Sequence, residues 1–342
     1  MWHDAHGTGA GYLSSPIEGT IHELVKSISV FADGIQIDRR LGVSVEYATH
    51  ARELGLEFQW GGPWVDAKPR GLRTTVPSGV SECVIEGLAQ CGMDWLCCGA
   101  STPHSDVLRL ARVSSYSGLG LALEVGPGAM SFFESDVGGA HDFLPGITIE
   151  GLLPSVMAIA SGYGDIESFS RLPQEALVVL GRCRPDPERI VGTLLRWNRP
   201  LVPLLASVRY SADLTALMTA QGMTELSSVM PHHSRIMALR HPGALAMGRR
   251  EAMRYLGLRA LSASERSQLR DGWQFLHDIL AAYASGGGRL LLGSGAPGLG
   301  LHPHFAIVEE VRIWRNAGVP EDICRAAHLS FLSSRSEDHV SS

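Results

Sequence analysis

Long apolar runs, basic clusters and regularly spaced cysteine pairs are all missing from this 342-residue chain. No stretch approaches the roughly 18–20 consecutive apolar residues that a membrane-crossing helix needs, so no membrane partner is expected. The first residues, Met1-Trp2-His3-Asp4-Ala5-His6, have neither a basic start nor an apolar core, and no secretory signal is read there. Lys and Arg number 29 against 35 Asp and Glu, a formal net charge of −6. Without a basic stripe to neutralise phosphates, nucleic acid is not an expected partner. The six Cys, at 83, 91, 97, 98, 183 and 324, lack zinc-type spacing, and vicinal Cys97-Cys98 cannot easily bridge. Reduced thiols in a cytoplasmic protein are the expectation.

What is present is a large apolar fraction, 45% hydrophobic against 19% charged, enough for a sizeable core. Short apolar segments alternate with helical patterns. Strands are expected at 34–38, 56–60, 93–98, 118–125, 141–144, 176–180, 201–206 and around Leu290–Leu292. Helices are expected at 15–32, 44–54, 78–90, 104–115, 145–160, 186–197, 262–284, 305–317 and 320–328. One strand and one helix every 30–40 residues implies parallel strands with crossover helices, and about eight such units favour a closed (β/α)8 barrel over an open sheet. The Gly-, Pro- and Trp-rich stretch 60–77 reads as a loop. The stretch 222–260, with its Met residues and Pro231-His232-His233, reads as a lid inserted into a single domain over 1–332, and 333–342 as a disordered tail.

Several motifs resemble the amidohydrolase superfamily, in particular its imidazolonepropionase-like and prolidase-like metal-dependent hydrolases. Leu290-Leu291-Leu292-Gly293-Ser294-Gly295 is similar to the last barrel strand of those proteins, which ends in Gly-Ser-Asp-Ala. Gly92-Met93-Asp94-Trp95-Leu96-Cys97 is similar to their Gly-Ala-Asp-Trp-Ile-Lys, and Asp4-Ala5-His6-Gly7-Thr8 stands where they carry Asp-x-His-x-His. The resemblance implies a TIM-like barrel and a two-metal site for activating water. Carried over position by position, however, the second His is Thr8, the bridging Lys is Cys97 and the His that ends a later strand is Glu124. The His that follows Ile-Glu falls near Phe143, and the catalytic Asp is Gly295. Of these positions only His6 is kept. The chain also begins at the first barrel strand, so the accessory β-sandwich of the family is not expected.

A tightly held zinc needs about three N, S or O donors converging at 2.0–2.3 Å, and the replacements leave too few. No metal and no cofactor are therefore expected. The chemistry of such barrels lies at the C-terminal strand ends, so the same positions remain the candidates. Glu124, His6 and Asp142 are the expected catalytic groups; Glu124, after an apolar strand, sits at the mouth of a low-dielectric pocket suited to proton transfer. Thr8, Trp60, Trp64, Trp95, Cys97, Phe143, Gly295, His302 and His304 are the expected substrate-binding residues; the Trp rings suit a flat or apolar ligand. Three function classes stay open. The first is a metal-independent enzyme on a small organic molecule, namely a cyclase, isomerase, dehydratase or lyase of specialised metabolism. The second is a metal-dependent amide hydrolase with a rebuilt site. The third is a non-catalytic small-molecule-binding barrel. A homodimer would cover the apolar edge left without a β-sandwich.

Overall fold

The computed structural model describes residues 57–60, 72–76, 78–90, 93–135, 146–166, 172–212, 258–293 and 303–327. His6, Thr8, Trp64, Asp142, Phe143, Gly295 and His302 lie outside them, as do the elements expected before residue 55, the strand at 141–144, nearly all of the 222–260 insertion and the C-terminal tail.

Six strands form one sheet in sequence order: β1 Glu57–Trp60, β2 Leu72–Thr75, β3 Met93–Cys98, β4 Gly120–Glu124, β5 Ile147–Glu150 and β6 Leu201–Val202. From β2 onward every pairing is parallel. Leu201 also bridges Leu290 in parallel, which places the triple-Leu segment beside β6 as its pattern implies. The helices are α1 Glu82–Gln90, α2 His104–Tyr116, α3 Pro127–Ser135, α4 Leu152–Gly162, α5 Pro173–Cys183, α6 Pro187–Trp197, α7 Leu205–Ala212, α8 Ala263–Ser285 and α9 Pro303–Ala317, and residues 321–327 are helical as well. These residues form a mixed α/β structure with a largely parallel sheet; a complete (β/α)8 barrel is not shown among them.

Local chemistry sets the boundaries. Asp186 caps α6 by accepting from the Glu188 N–H at 3.1 Å, with Pro187 in the first turn and Asn198 left-handed at the exit. Ser262 and Glu265 close a reciprocal capping box at the start of α8. The apolar faces then pack. Leu96, Leu121, Leu123, Ile149 and Leu201 line one side of the sheet and are at most 1% exposed, each such side chain contributing roughly 1.5–3 kcal/mol on burial.

Six expectations change. β1 is antiparallel to β2, because the connection 61–71 is shorter than the dozen or so residues a parallel crossover takes. The expected loop 60–77 contains β2. The helix expected from 145 starts only at Leu152, and β5 takes Ile147–Glu150, where β-branched Ile147, Thr148 and Ile149 stand between Gly146 and Gly151, both at positive φ. The strand at 176–180 is helix α5. Its run Ala-Leu-Val-Val-Leu suits either element when buried, and Pro173 with left-handed Arg184 frames a helix. The strand at 201–206 stops at Val202, because Pro203 ends the ladder and α7 begins at Leu205. Helix α3, with Pro127 in its first turn, stands where no helix was expected.

Candidate active site at the strand ends

Alternation along the strands divides the sheet into two faces. The helix-covered face holds the aliphatic core. The other carries Trp95 and Cys97 from β3, Gly120, Ala122 and Glu124 from β4, and Thr148 and Glu150 from β5. Trp95, Cys97 and Ala122 form a buried cluster separate from the main core. The vicinal cysteines are thereby split. Cys97 lies on the inner face, whereas Cys98 points into the helix layer, where burial pushes its thiol up to about 12 and leaves it inert.

Parallel register stacks these residues in rows. Trp95 pairs with Gly120, and its indole lies over that glycine so closely that a Cβ there would stand 2.5 Å from the ring. The next row is Cys97, Ala122 and Thr148, all small. The last row brings Glu124 beside Glu150. Adjacent strands lie about 4.8 Å apart, so two carboxylates stand side by side at the C-terminal edge of the sheet. A layer of small side chains lies beneath them, and an indole fills the bottom.

Glu124 is half-buried and Glu150 is 8% exposed. The Ala100 N–H donates to Glu124 Oε2 at 3.2 Å, from the loop that follows β3. Gly99 in that loop would place a Cβ 3.9 Å from the same oxygen, so the carboxylate has space on its β3 side. Close approach of two loops fixes this geometry: a Cβ on Gly126 would fall 1.8 Å from the Ala100 carbonyl oxygen, and one on Gly128 would fall 2.0 Å from that of Thr102. Thr148 is 2% exposed, and its hydroxyl has no hydrogen-bond partner among the described residues; the same holds for the Trp95 indole N–H. Unmet buried polar atoms of this kind suit a ligand or a bound water.

The sequence-derived residues distribute unevenly. Glu124, Cys97 and Trp95 share the inner face, as proposed for a site. Trp60 ends β1 opposite Leu72, at the sheet edge. His304 falls in the first turn of α9 rather than in a loop. Glu150 and Thr148 were not foreseen, because they fell within the helix expected over 145–160. A signal existed: Ile147-Thr148-Ile149-Glu150 repeats the aliphatic-small-aliphatic-Glu order of Leu121-Ala122-Leu123-Glu124.

Among the described residues no three His, Cys, Asp or Glu side chains converge to hold a metal ion. Cys97 lies one row below Glu124 and Glu150, and the three do not converge on one point, so the described residues by themselves do not make a two-metal cradle. No described helix is long and apolar enough to cross a membrane.

No family model matches the chain, and neither does any curated protein. Among solved structures, a bottromycin amidohydrolase matches at 15% sequence identity with a TM-score of 0.42, over 74% of this chain and 48% of that one. The chain thus spans about half the length of the solved structure it matches.

Proposed function

We propose that the protein is an amidohydrolase-like barrel whose metal cradle has been replaced, and that it transforms a small organic molecule by acid/base chemistry. The single observation that carries this reading is the register of Glu124 against Glu150 at the C-terminal strand ends. Two carboxyl groups at this spacing can divide the labour. One takes a proton from the substrate while the other returns one to a neighbouring atom. Such a sequence serves isomerisation, dehydration, cyclisation or lyase chemistry, none of which needs activated hydroxide. Cys97 and Ala122 offer a small apolar floor for the body of the substrate, and the Thr148 hydroxyl a hydrogen bond.

The resemblance read from the sequence agrees with this at one further point. Relatives follow Ile-Glu with a ligand His. Ile149-Glu150 closes β5 and is followed by Gly151, a second Ile-Glu reading beside the one that puts Phe143 at that place, and neither residue carries a metal donor. A single domain over 1–332, with the 222–260 segment as a lid, a cytoplasmic location and a homodimer complete the proposal.

Incubating the purified protein with small-molecule extracts and following mass features over time tests it. At least one feature should convert at a rate that Glu124→Gln and Glu150→Gln each lower by roughly 10²–10⁴-fold, the usual loss on removing a general acid or base. Turnover unchanged in both variants, or about one zinc, iron or manganese per chain held by the active protein, would count against the proposal.

A further inference from the structure

Charge is spread unevenly along this chain. Residues 113–170 contain seven Asp and Glu and no Lys or Arg. They include β4, β5 and the segments that follow both strands, so the row of Glu124 and Glu150 has no Lys or Arg close to it along the chain. Strand β3 and its loop add none, since the first Lys or Arg after Met93 is Arg109. Arg109 and Arg112 both stand on α2, where Arg109 pairs with Asp106 at 3.0 Å and Arg112 is exposed. Glu124 takes the Ala100 N–H and meets no basic side chain among the described residues. A lining of one charge sign concentrates ligands of the opposite sign.

Thr148 is an independent mark of a ligand on the same face. It lies two residues before Glu150 on β5, roughly 6.6 Å along the strand and on the same side of the sheet. Its side chain is 2% exposed, and its hydroxyl has no partner. A hydroxyl buried without a partner costs stability. Valine has nearly the same shape and no such cost, so packing against Ala122 gives no reason to hold a Thr there. The carboxyl pair above it has acceptor capacity to spare. A carboxylate offers about four lone-pair sites, which neither the Ala100 bond on Glu124 nor a partner on Glu150 exhausts. Two such groups side by side also repel each other, and a cation between them relieves the repulsion.

We propose that the substrate of this face is a small molecule bearing a primary ammonium group, held by Glu124 and Glu150 above and by the Thr148 hydroxyl beneath, with its apolar body on Cys97 and Ala122. An ammonium brings one positive charge and three N–H donors. The face offers three acceptors to match: two carboxylates and the Thr148 oxygen. A quaternary ammonium has no N–H and would leave Thr148 unmet, and a carboxylate ligand would add to the repulsion. The assignment rests on the reading of this face as the active site, and it names the molecules that the site admits.

Methyl NMR of the full chain, labelled at Ala and Thr, tests it with three probes of one shape: n-butylammonium, n-butanol and n-butyrate. Butylammonium should shift the Ala122 and Thr148 methyl resonances saturably in the millimolar range, and the neutral and anionic probes should not. Glu124→Gln and Glu150→Gln should each weaken that binding roughly tenfold or more, as losing a hydrogen bond to a charged group does. Thr148→Val should fold at least as stably as the wild type, because it removes an unmet hydroxyl, and still bind butylammonium several-fold more weakly. Equal saturation by butanol or butyrate overturns the assignment, as does no response to any probe or undiminished binding in all three variants. The wild-type comparison decides alone should a variant not fold. Charge-selective binding supports the ammonium site even where no extract feature converts. A converted substrate that lacks an amine, lost in Glu124→Gln, overturns this assignment and leaves the acid/base reading standing.

Discussion

A Cβ at Gly126 would stand 1.8 Å from the Ala100 carbonyl oxygen, and the Ala100 N–H is the donor to Glu124. One missing methyl group thus fixes the loop that orients a proposed catalytic carboxylate. Gly126→Ala must push two backbones apart, and overpacking of this kind costs about 1–3 kcal/mol. Urea denaturation should show that loss, and the active protein should lose turnover with it. Stability within about 0.5 kcal/mol of the wild type would mean that the loops yield freely. Glu124 was legible at this scale, because an aliphatic strand ending in a carboxylate is a local pattern. Thr148 and Glu150 carried the same pattern four strand positions long, but the expected helix from Pro145 absorbed them. The contact between Gly126 and Ala100 left no trace in the sequence, since the two residues are neighbours only once β3 and β4 pair.

Among the elements, the closest approach joins α5 and α8. A Cβ on Gly181 would lie 1.8 Å from the Gln268 carbonyl oxygen, and one on Gly272 would lie 1.9 Å from that of Leu177. The helix backbones are in direct contact there. Gly→Ala normally favours a helix by up to about 1 kcal/mol. At either of these sites the steric term opposes that gain and exceeds it. Gly181→Ala and Gly272→Ala should each destabilise by about 2–3 kcal/mol in chemical denaturation, as overpacked cores do; a stabilised variant would show that the helices can separate at no cost. This crossing also explains the misreading of Ala176–Leu180. Helix α5 packs against α8, α7 and α4, so its apolar residues do not trace a single stripe. Elements with their own punctuation, such as α6 between Asp186-Pro187 and Asn198, were read almost to the residue.

For the whole molecule, two buried groups set opposing pH trends. Burial holds the His277 imidazole below its ordinary 6.5. Its contribution to stability is present above pH 6.5 and is lost as pH falls through that lowered value. Glu310 acts in the other sense: its contribution is complete below about pH 4.5 and is lost as pH rises through about 7. His277→Phe keeps a ring against Trp273 while removing the titrating nitrogens. Its urea midpoint should fall less than that of the wild type between pH 6.5 and 5; parallel curves would show that His277 ionises without cost. The sequence by itself determined the α/β class, the positions of β3, β4, α2, α6 and α8, and the candidacy of Glu124, because periodicity, caps and strand-ending residues are properties of neighbours along the chain. Tertiary structure alone decided that β1 runs antiparallel, that Cys97 and Cys98 face opposite ways about the sheet, that Glu150 stands beside Glu124, and that Glu310 on α9 accepts the Leu205 and Ala206 N–H groups that open α7. Each of these depends on register or on contact between residues distant along the chain, and hydrophobic pattern constrains which face is buried without naming the partner across it.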